Sequence, residues 1–254
     1  PAEEILKYVL SLWKAMDKEV LEKILNLKKK KEPFCVVSKA NSTDTKVITL
    51  SESSKSDLKQ SINKALKEDK LILIENNNEE WIINPFNPPP KLIIVGAVHV
   101  AQSLALIAEN LDFEVIIIDP REAFAEQERF PNNKVICAWP EDAFDELILD
   151  SRTAVVTLTH EPNLDDIALK RSLKSKCFYI GALGSKKTHK KRIERFLADN
   201  ITQDDISKIN GPIGLPINAQ TPGEIAISIM SEIISSLRNQ KYTMKELREN
   251  WNNR

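Results

Sequence analysis

The sequence predicts an α/β protein in which a small N-terminal α+β domain precedes a larger domain built on a parallel sheet with helices on both faces. Beyond residue 91, short apolar segments such as KLIIV alternate with segments of helical periodicity, which is typical of strands buried on both faces of a parallel sheet. All six glycines also follow Lys91. Because glycine permits positive φ and close approach of the backbone to a ligand, we expect the ligand-binding loops in this C-terminal part.

The N-terminal domain is predicted over residues 1–84. Apolar residues at helical spacing within 3–27 predict an amphipathic helix or a pair of helices, which ends in the basic run Lys28–Lys31 before Pro33. We interpret this basic run as a solvated helix end rather than as a site for an anionic partner. The remaining elements follow in this order: strands at 34–39 and 46–50, a helix at 56–68, and strands at 71–75 and 81–84.

A proline-rich segment, NPFNPPPK (84–91), separates the two predicted domains. Three consecutive prolines form a stiff, extended connector, so we expect this segment to interrupt all regular structure and place the linker at 85–90. The C-terminal domain is then predicted over 91–240 and a C-terminal helix over 241–254.

The C-terminal domain is predicted to alternate between strands and helices. Its elements follow in this order: strand 91–96, helix 99–111, strands 113–119 and 134–139, helix 141–148, strand 153–159, helix 164–173, strand 177–181, and helices that open at Ser185 and at Thr221. On the first of these helices, four apolar residues are expected to share the buried face: Val100, Leu104, Ile107 and Leu111. Because crossovers between parallel strands are right-handed, this order of elements predicts a doubly wound fold.

Composition and charge exclude several classes of function. The 254-residue chain has a formal net charge of −1, so no global field favours nucleic acid or an anionic membrane. No apolar run approaches the roughly 18 residues that span a bilayer, and the segment 1–20 does not resemble a signal peptide. Cys35, Cys137 and Cys177 are widely spaced, which favours a reducing compartment, taken to be the cytoplasm, over a disulfide framework or a zinc site. Cys35 stands in an apolar strand and is expected to be a buried thiol.

The first strand of the C-terminal domain runs directly into a helix through the sequence GAVHVA. This segment is a variant of the G-x-G-x-x-G/A fingerprint of Rossmann-type domains. Gly96 permits the tight turn and Ala101 permits close packing of the helix, whereas Val98 replaces the glycine that lets the backbone approach a pyrophosphate. We predict a nucleotide or a related phosphate-bearing ligand at this loop, the alternative being an empty or repurposed cleft. The predicted contacts are Gly96, Ala97, Val98 and His99.

Side chains at the ends of the next strands are predicted to line the same cleft, because ligands of open α/β sheets bind at the carboxyl ends of the strands. Asp119 ends the second strand, where a carboxylate would hold a ribose hydroxyl. Arg121 suits a phosphate or a carboxylate, or else forms a salt bridge with a nearby acid. Thr159 and His160 follow another strand, and His160 with Asp165 allows ligand contact, acid–base chemistry or a purely structural role.

The segment YIGALGSKKTHKKR predicts a further anion site. Two glycines bracket a junction between strand and helix, and a serine is well placed to cap the helix. The basic cluster that follows suits phosphate, nucleic acid or an acidic partner, or is a solvated helix face. The predicted contacts are Gly181, Leu183, Gly184, Ser185 and His189. The three histidines His99, His160 and His189 could converge on a metal, but we predict neither a metal site nor a catalytic residue.

Taken together, five segments resemble the XdhC/CoxI family of xanthine dehydrogenase accessory factors over roughly residues 90–238. They are GAVHVAQ, FEVIIIDPREAFA, VVTLTHEPNLDD, YIGALGSKKTHKKR and PIGLPINAQTPGEIAISIMSEII. The resemblance implies a protein that binds molybdenum cofactor (molybdopterin), supports its sulfuration with a cysteine desulfurase, delivers it to a molybdenum hydroxylase apoenzyme, and acts as a homodimer or larger assembly. The family motif carries over onto Gly96, His99, Asp119, Arg121, His160, Gly181, Gly184, Ser185 and His189.

The chain departs from the family in its N-terminal part. Family members usually carry a serine–glycine–glycine–cysteine segment there, whereas this chain has no glycine before Gly96. We therefore expect a non-catalytic, cofactor-binding accessory protein with a shortened cofactor-handling part and with no nucleic-acid or membrane partner. Two alternatives stay open: an NAD(P)-dependent oxidoreductase that uses His160 or His99 as its acid–base group, and a degenerate family member that acts only as a protein-interaction module.

Overall fold

The structure of the protein is a computed structural model that describes residues 17–40, 42 and 44–238. The chain divides into two compact units, whose boundary falls between Pro88 and Pro89. The predicted C-terminal helix at 241–254 and the first part of the predicted N-terminal helix lie outside the described residues. In the part of the chain that the structure describes, no helix is both long enough and apolar enough to cross a bilayer.

The N-terminal unit contains a four-stranded antiparallel sheet in the order β2-β1-β4-β3. Its elements are α1 (Lys18–Lys29), β1 (Phe34–Lys39), β2 (Thr45–Thr49), a 3₁₀ turn (Glu52–Lys55), α2 (Lys59–Glu68), β3 (Ile72–Asn76) and β4 (Glu79–Phe86). Strand β1 is apolar along most of its length because both of its faces are covered. Phe34 packs with Ile24 of α1, while Cys35, which is buried as predicted, packs with Ile62 of α2.

Strand β4 continues through the segment in which regular structure was predicted to stop. It pairs with β1 as far as Phe86, whose ring stacks on that of Phe34 with 5.1 Å between the ring centroids. Strand β3 begins its pairing at Ile72, opposite Ile83. Beyond Ile83, β4 therefore has a partner on one side only, and proline is tolerated on such an edge. The aromatic stack and the open edge explain why Pro85 does not end the strand.

The C-terminal unit contains a six-stranded parallel sheet in the order β10-β9-β8-β5-β6-β7. Its strands are β5 (Lys91–Val95), β6 (Glu114–Ile118), β7 (Lys134–Ile136), β8 (Thr153–Thr157), β9 (Tyr179–Ala182) and β10 (Ile209–Asn210). Its α-helices are α3 (His99–Glu109), α4 (Pro140–Asp145), α5 (Pro162–Leu173), α6 (Lys186–Ala198), α7 (Gln203–Ile206) and α8 (Pro222–Leu237), with a 3₁₀ turn at Gln127–Arg129. The predicted fold class, a parallel sheet with helices on both faces beside a small antiparallel unit, is confirmed.

Alternate residues of the central strand β5 pack against helices on opposite faces of the sheet. Ile94 belongs to the cluster formed with α3 and α8, whereas Ile93 belongs to the cluster formed with α4 and α5. Both side chains are fully buried. The continuous apolar run that predicted this strand is the direct consequence of burial on both faces.

The structure corrects the sequence prediction where elements are short or end early. Helix α3 ends at Glu109, so Leu111 does not share its buried face and is exposed instead. Strand β7 is three residues long and stops before the predicted end. Helix α7 and strand β10 were not predicted, because four and two residues are too few to show a periodicity.

The order of the strands creates a crevice at the carboxyl edge of the sheet. From β5 the chain passes through α3 to β6 on one side, whereas from β8 it passes through α5, on the opposite face, to β9 on the other side. The connections thus diverge between β5 and β8. Ligands of open α/β sheets bind at such a switch point. We therefore expect a ligand site at the loops that follow these two strands.

The two leucines of α3 test the packing of this unit. Leu104 is 0% exposed in the core, whereas Leu106 on the same helix is 61% exposed. We expect Leu104→Ala to lower the free energy of unfolding by about 2–5 kcal/mol, because the truncated side chain leaves a cavity. Leu106→Ala is the matched control and should change it by about 0.5 kcal/mol or less. Urea denaturation followed by circular dichroism measures both, and equal losses would contradict the assignment of the core.

Candidate functional site

Gly96 lies at the switch point and lets two loops approach each other closely. Its φ of +108° is a backbone conformation that side-chain-bearing residues rarely adopt. A Cβ atom at this position would lie 2.5 Å from Cγ2 of Thr159, in the loop after β8. The tight turn predicted at Gly96 is confirmed, and the glycine is needed both for the turn and for contact with the neighbouring loop.

The N-terminus of α3 faces this crevice without a side-chain cap. Val98 occupies the N-cap position, and its side chain accepts no hydrogen bond from the helix. His99 opens the helix and is exposed, while Ala101 in the first turn is fully buried, as its role in close packing predicted. The positive end of the helix dipole and the backbone N–H groups of an uncapped first turn favour an anion here.

Asp119 ties the end of β6 to the loop after β5. Its carboxylate is fully buried and accepts hydrogen bonds from the Ala97 N–H at 2.8 Å and from the Arg121 N–H at 3.0 Å. The Arg121 guanidinium donates two more, from Nε at 2.8 Å and from Nη2 at 2.7 Å. Burial raises the pKa of Asp119, but these hydrogen bonds outweigh it and hold the pKa below its usual value.

Arg121 is therefore fixed by its own chain. Its guanidinium also lies over the ring of Phe124, 4.1 Å from the centroid. Of the two roles predicted for Arg121, the salt bridge is the one that this arrangement displays. A ribose hydroxyl would have to compete with Arg121 for Asp119, so ribose binding by Asp119 stays a prediction that requires this ion pair to open.

Asp165 anchors the loop after β8. Its Oδ1 accepts hydrogen bonds from the hydroxyl of Thr159 at 2.7 Å and from the backbone N–H of Thr159 at 3.3 Å. Burial raises the pKa of Asp165, against the opposing effects of Thr159 and Arg192. His160 follows in the left-handed region, with φ of 63°, and its side chain is exposed. Because Asp165 bonds Thr159 rather than His160, this geometry favours a structural role for Asp165 over acid–base chemistry, which were two of the alternatives that the sequence left open.

The junction between β9 and α6 is built as predicted at two of its residues. Gly184 has a φ of +144°, and Ser185 caps α6 by accepting a hydrogen bond from the Thr188 N–H at 3.1 Å. Gly181, which was predicted to end this strand, lies inside β9, one residue before its end. The side chains of Tyr179 and Ile213 occupy the space that a Cβ at Gly181 would need. Its role in this structure is therefore close packing.

A pocket of about 250 Å³ opens beside the crevice, between the loop after β8 and the first turns of α6. We call it the α6 pocket. It is lined by His160, Pro162, Lys187, Thr188, Lys191, Arg192 and Arg195. The sequence located the basic cluster but not its geometry. The signal that identifies this face is the spacing of four residues from Lys187 to Lys191 and on to Arg195, which places three cations on one side of the helix.

Arg192 is the buried cation of the α6 pocket, with 3% of its side chain exposed. Its Nη2 lies 3.5 Å from Oδ2 of Asp165, and its Nε lies 3.4 Å from Oδ1 of Asp166. These are ion pairs, but Nε and Nη1 make no hydrogen bond with the residues that the structure describes. Arg195 takes the better geometry with Asp166, through two hydrogen bonds of 2.7 and 3.0 Å.

His189 lies outside the α6 pocket. Its ring packs against Gly211, where a Cβ atom would collide with it, and Nδ1 is buried without a described hydrogen-bond partner. Burial and the charge of Arg192 lower the pKa of His189, which favours the neutral ring. Nor do the three histidines converge, since the described ranges contain no group of three His, Cys, Asp or Glu residues that could hold a metal ion.

Comparison with known proteins gives a family match to the larger unit. The family model described as the XdhC Rossmann domain matches residues 92–233. The chain is 33% identical over 155 residues to a probable xanthine dehydrogenase subunit of Bacillus subtilis (strain 168), which covers 61% of this chain and 45% of that protein. It is 26% identical over 165 residues to the molybdenum cofactor insertion chaperone PaoD of Escherichia coli (strain K12), which covers 63% and 46%.

A likeness in fold extends over more of the chain. The crystal structure of a xanthine dehydrogenase from Bacillus halodurans matches with a TM-score of 0.65 and 24% identity, over 88% of this chain and 65% of that one. At this identity the likeness shows the fold alone. In the sequence alignments, the chain spans less than half the length of the two curated relatives.

Replacing Asp119 with asparagine tests the loop anchor. We expect Asp119→Asn to lower the free energy of unfolding by about 2–3 kcal/mol at pH 7, because charge-assisted hydrogen bonds to a buried carboxylate are lost. The pKa of Asp119 is depressed in the folded state. Its contribution is therefore complete above the unfolded pKa of about 3.9 and is lost as the pH falls through the folded pKa.

The difference in the free energy of unfolding between the wild type and Asp119→Asn should therefore become smaller below about pH 4. Urea denaturation at pH 7 and at pH 3.5 measures it. The control is Asp145→Asn, which removes the exposed partner of Arg171. We expect this variant to lower the free energy of unfolding by about 1 kcal/mol or less. A difference that stays constant between the two pH values would contradict the role of the ionised Asp119.

Proposed function

This chain belongs to the XdhC family, as the resemblance predicted and as the match over residues 92–233 confirms, and from this premise we propose that it is an accessory protein in the maturation of a molybdenum hydroxylase. In this role it binds molybdenum cofactor as a cargo, supports its sulfuration by a cysteine desulfurase and delivers it to the apoenzyme. The proposal includes a homodimer and a cytoplasmic setting, in which the three cysteines remain free thiols.

The observation that carries this proposal is the crevice at the switch point of the family's own domain. The crevice combines the Gly96 turn, the uncapped N-terminus of α3 and the loop of Thr159 and His160. The similarity to PaoD, which is named a molybdenum cofactor insertion chaperone, supports a cargo of the same kind.

The residues present fit an anionic cargo. Molybdenum cofactor is negatively charged, and the N-terminus of a helix favours negative charge. The basic lining of the α6 pocket adds positive charge beside the crevice. Within this arrangement the chain's residues bind and orient the cargo.

One feature favours an NAD(P)-dependent oxidoreductase as the second candidate, namely an acidic residue, Asp119, at the end of β6. Two features weigh against it. Val98 stands in place of the fingerprint's second glycine, and the Asp119 carboxylate is occupied by Arg121.

Direct binding distinguishes the candidates. We expect the purified protein to bind molybdenum cofactor, and to bind NAD, NADP and AMP more weakly, in titrations followed by intrinsic tryptophan fluorescence. Gly96→Ala should weaken cofactor binding by about tenfold or more, since the new Cβ is strained and displaces the Thr159 loop. Gly223→Ala is the matched control, because a Cβ at Gly223 meets nothing within 4 Å. Circular dichroism establishes that both variants are folded.

The other outcomes of this titration contradict the proposal in different ways. Binding of NAD or NADP alone would favour the oxidoreductase. Binding of none of the four ligands by the folded wild type would favour a protein-interaction module. If the two glycine variants bind molybdenum cofactor with equal affinity, the crevice is not part of the binding site.

A further inference from the structure

We propose that the α6 pocket is a binding site for a phosphate monoester group, supplied by one end of the cargo. This inference deepens the proposed function, because the identity of the cargo rests on that function. The phosphate chemistry itself rests on the residues of the pocket.

The state of Arg192 is the first support for a phosphate site. Its guanidinium is almost completely buried, yet Nε and Nη1 make no hydrogen bond in the described part of the chain. Its ion pairs with Asp165 and Asp166, at 3.5 and 3.4 Å, are longer than charge-assisted hydrogen bonds of about 2.7–2.9 Å. Buried donors without an acceptor are costly, and a phosphate oxygen in the pocket would supply the acceptor.

The balance of charge in the pocket is the second support. Four cations line the pocket, and two carboxylates, Asp165 and Asp166, pair with them. Neither Lys187 nor Lys191 forms an ion pair with any carboxylate among the described residues. The excess of two positive charges matches a phosphate monoester, which carries a charge of about −1.5 to −2 at pH 7.

The position of the pocket relative to the crevice is the third support. Thr159 contacts the Gly96 turn, and the next residue, His160, lines the pocket. The crevice and the α6 pocket therefore share one loop. A single elongated ligand can place its ring system in the crevice and its phosphate in the pocket. The volume of about 250 Å³ is ample for a phosphate group and ordered water.

The lysines of α6 provide a matched pair of double variants. Lys187 and Lys191 line the pocket, whereas Lys186 and Lys190 lie on the same helix, at the same spacing, outside it. Both K187M/K191M and K186M/K190M remove two positive charges. Isothermal titration calorimetry at constant ionic strength measures their affinity for inorganic phosphate and for AMP, with adenosine as the ligand that lacks phosphate.

We expect the wild type to bind inorganic phosphate and AMP, and K187M/K191M to bind both about tenfold or more weakly, because two charge-assisted contacts are lost. K186M/K190M should stay within about threefold of the wild type, since it changes only the screened field of the helix. Arg192→Lys keeps the charge but loses the planar fork, and should also weaken phosphate binding while far-ultraviolet circular dichroism remains that of the wild type.

Two results of the phosphate titrations would overturn the site. The first is a folded wild type that does not bind inorganic phosphate, and the second is an equal loss in the two double variants, which indicates a diffuse basic face. The same variants separate this inference from the proposed function. If K187M/K191M binds molybdenum cofactor as tightly as the wild type does, the phosphate site is wrong but the proposed function stands. If phosphate binding depends on Lys187 and Lys191 but the protein does not bind molybdenum cofactor, the phosphate site stands and the proposed function is wrong.

Discussion

The close approach of the Gly96 turn to Thr159 is the contact on which the rest of the site depends. It joins the two loops between which the chain connections of the sheet diverge, and it tolerates no Cβ at Gly96. From Thr159 the network continues through a hydrogen bond to Asp165 and then through an ion pair to Arg192. The backbone turn at the end of β5 is thus connected, through Thr159 and Asp165, to Arg192, the buried cation of the α6 pocket.

Buried carboxylates fix both sides of the crevice. Asp119 holds the loops after β5 and β6 together, and Asp165 holds the loop after β8. Removing one partner of such a network leaves an uncompensated charge, so these groups give the loops a defined position even where they add little net stability. The two acids differ in their electrostatics: hydrogen bonds keep the pKa of Asp119 low despite burial, whereas burial prevails at Asp165 and raises its pKa.

Local rules were sufficient for much of the fold and for part of the site. The continuous apolar run of β5, the turn at Gly96 and the serine cap of α6 all follow from the nearest neighbours in sequence. The prediction was wrong where distant residues decide. Pro85 stays in a strand because Phe86 stacks on Phe34 of β1 and because one edge of β4 is open there.

The sequence by itself determined the doubly wound class, the family resemblance and the loops that follow the strands, because the alternation of strands and helices along the chain and the periodicity within each element depend on short-range patterns of burial. Only the tertiary structure decided which charges are paired. In the structure Asp119 pairs with Arg121, and His189 lies outside the α6 pocket. Arg192 is buried, and its Nε and Nη1 make no hydrogen bond with the described residues. The physical reason is that desolvation and ion pairing depend on all the residues that surround a side chain in space, including those from distant parts of the chain. The sequence shows only the neighbours of a residue along the chain.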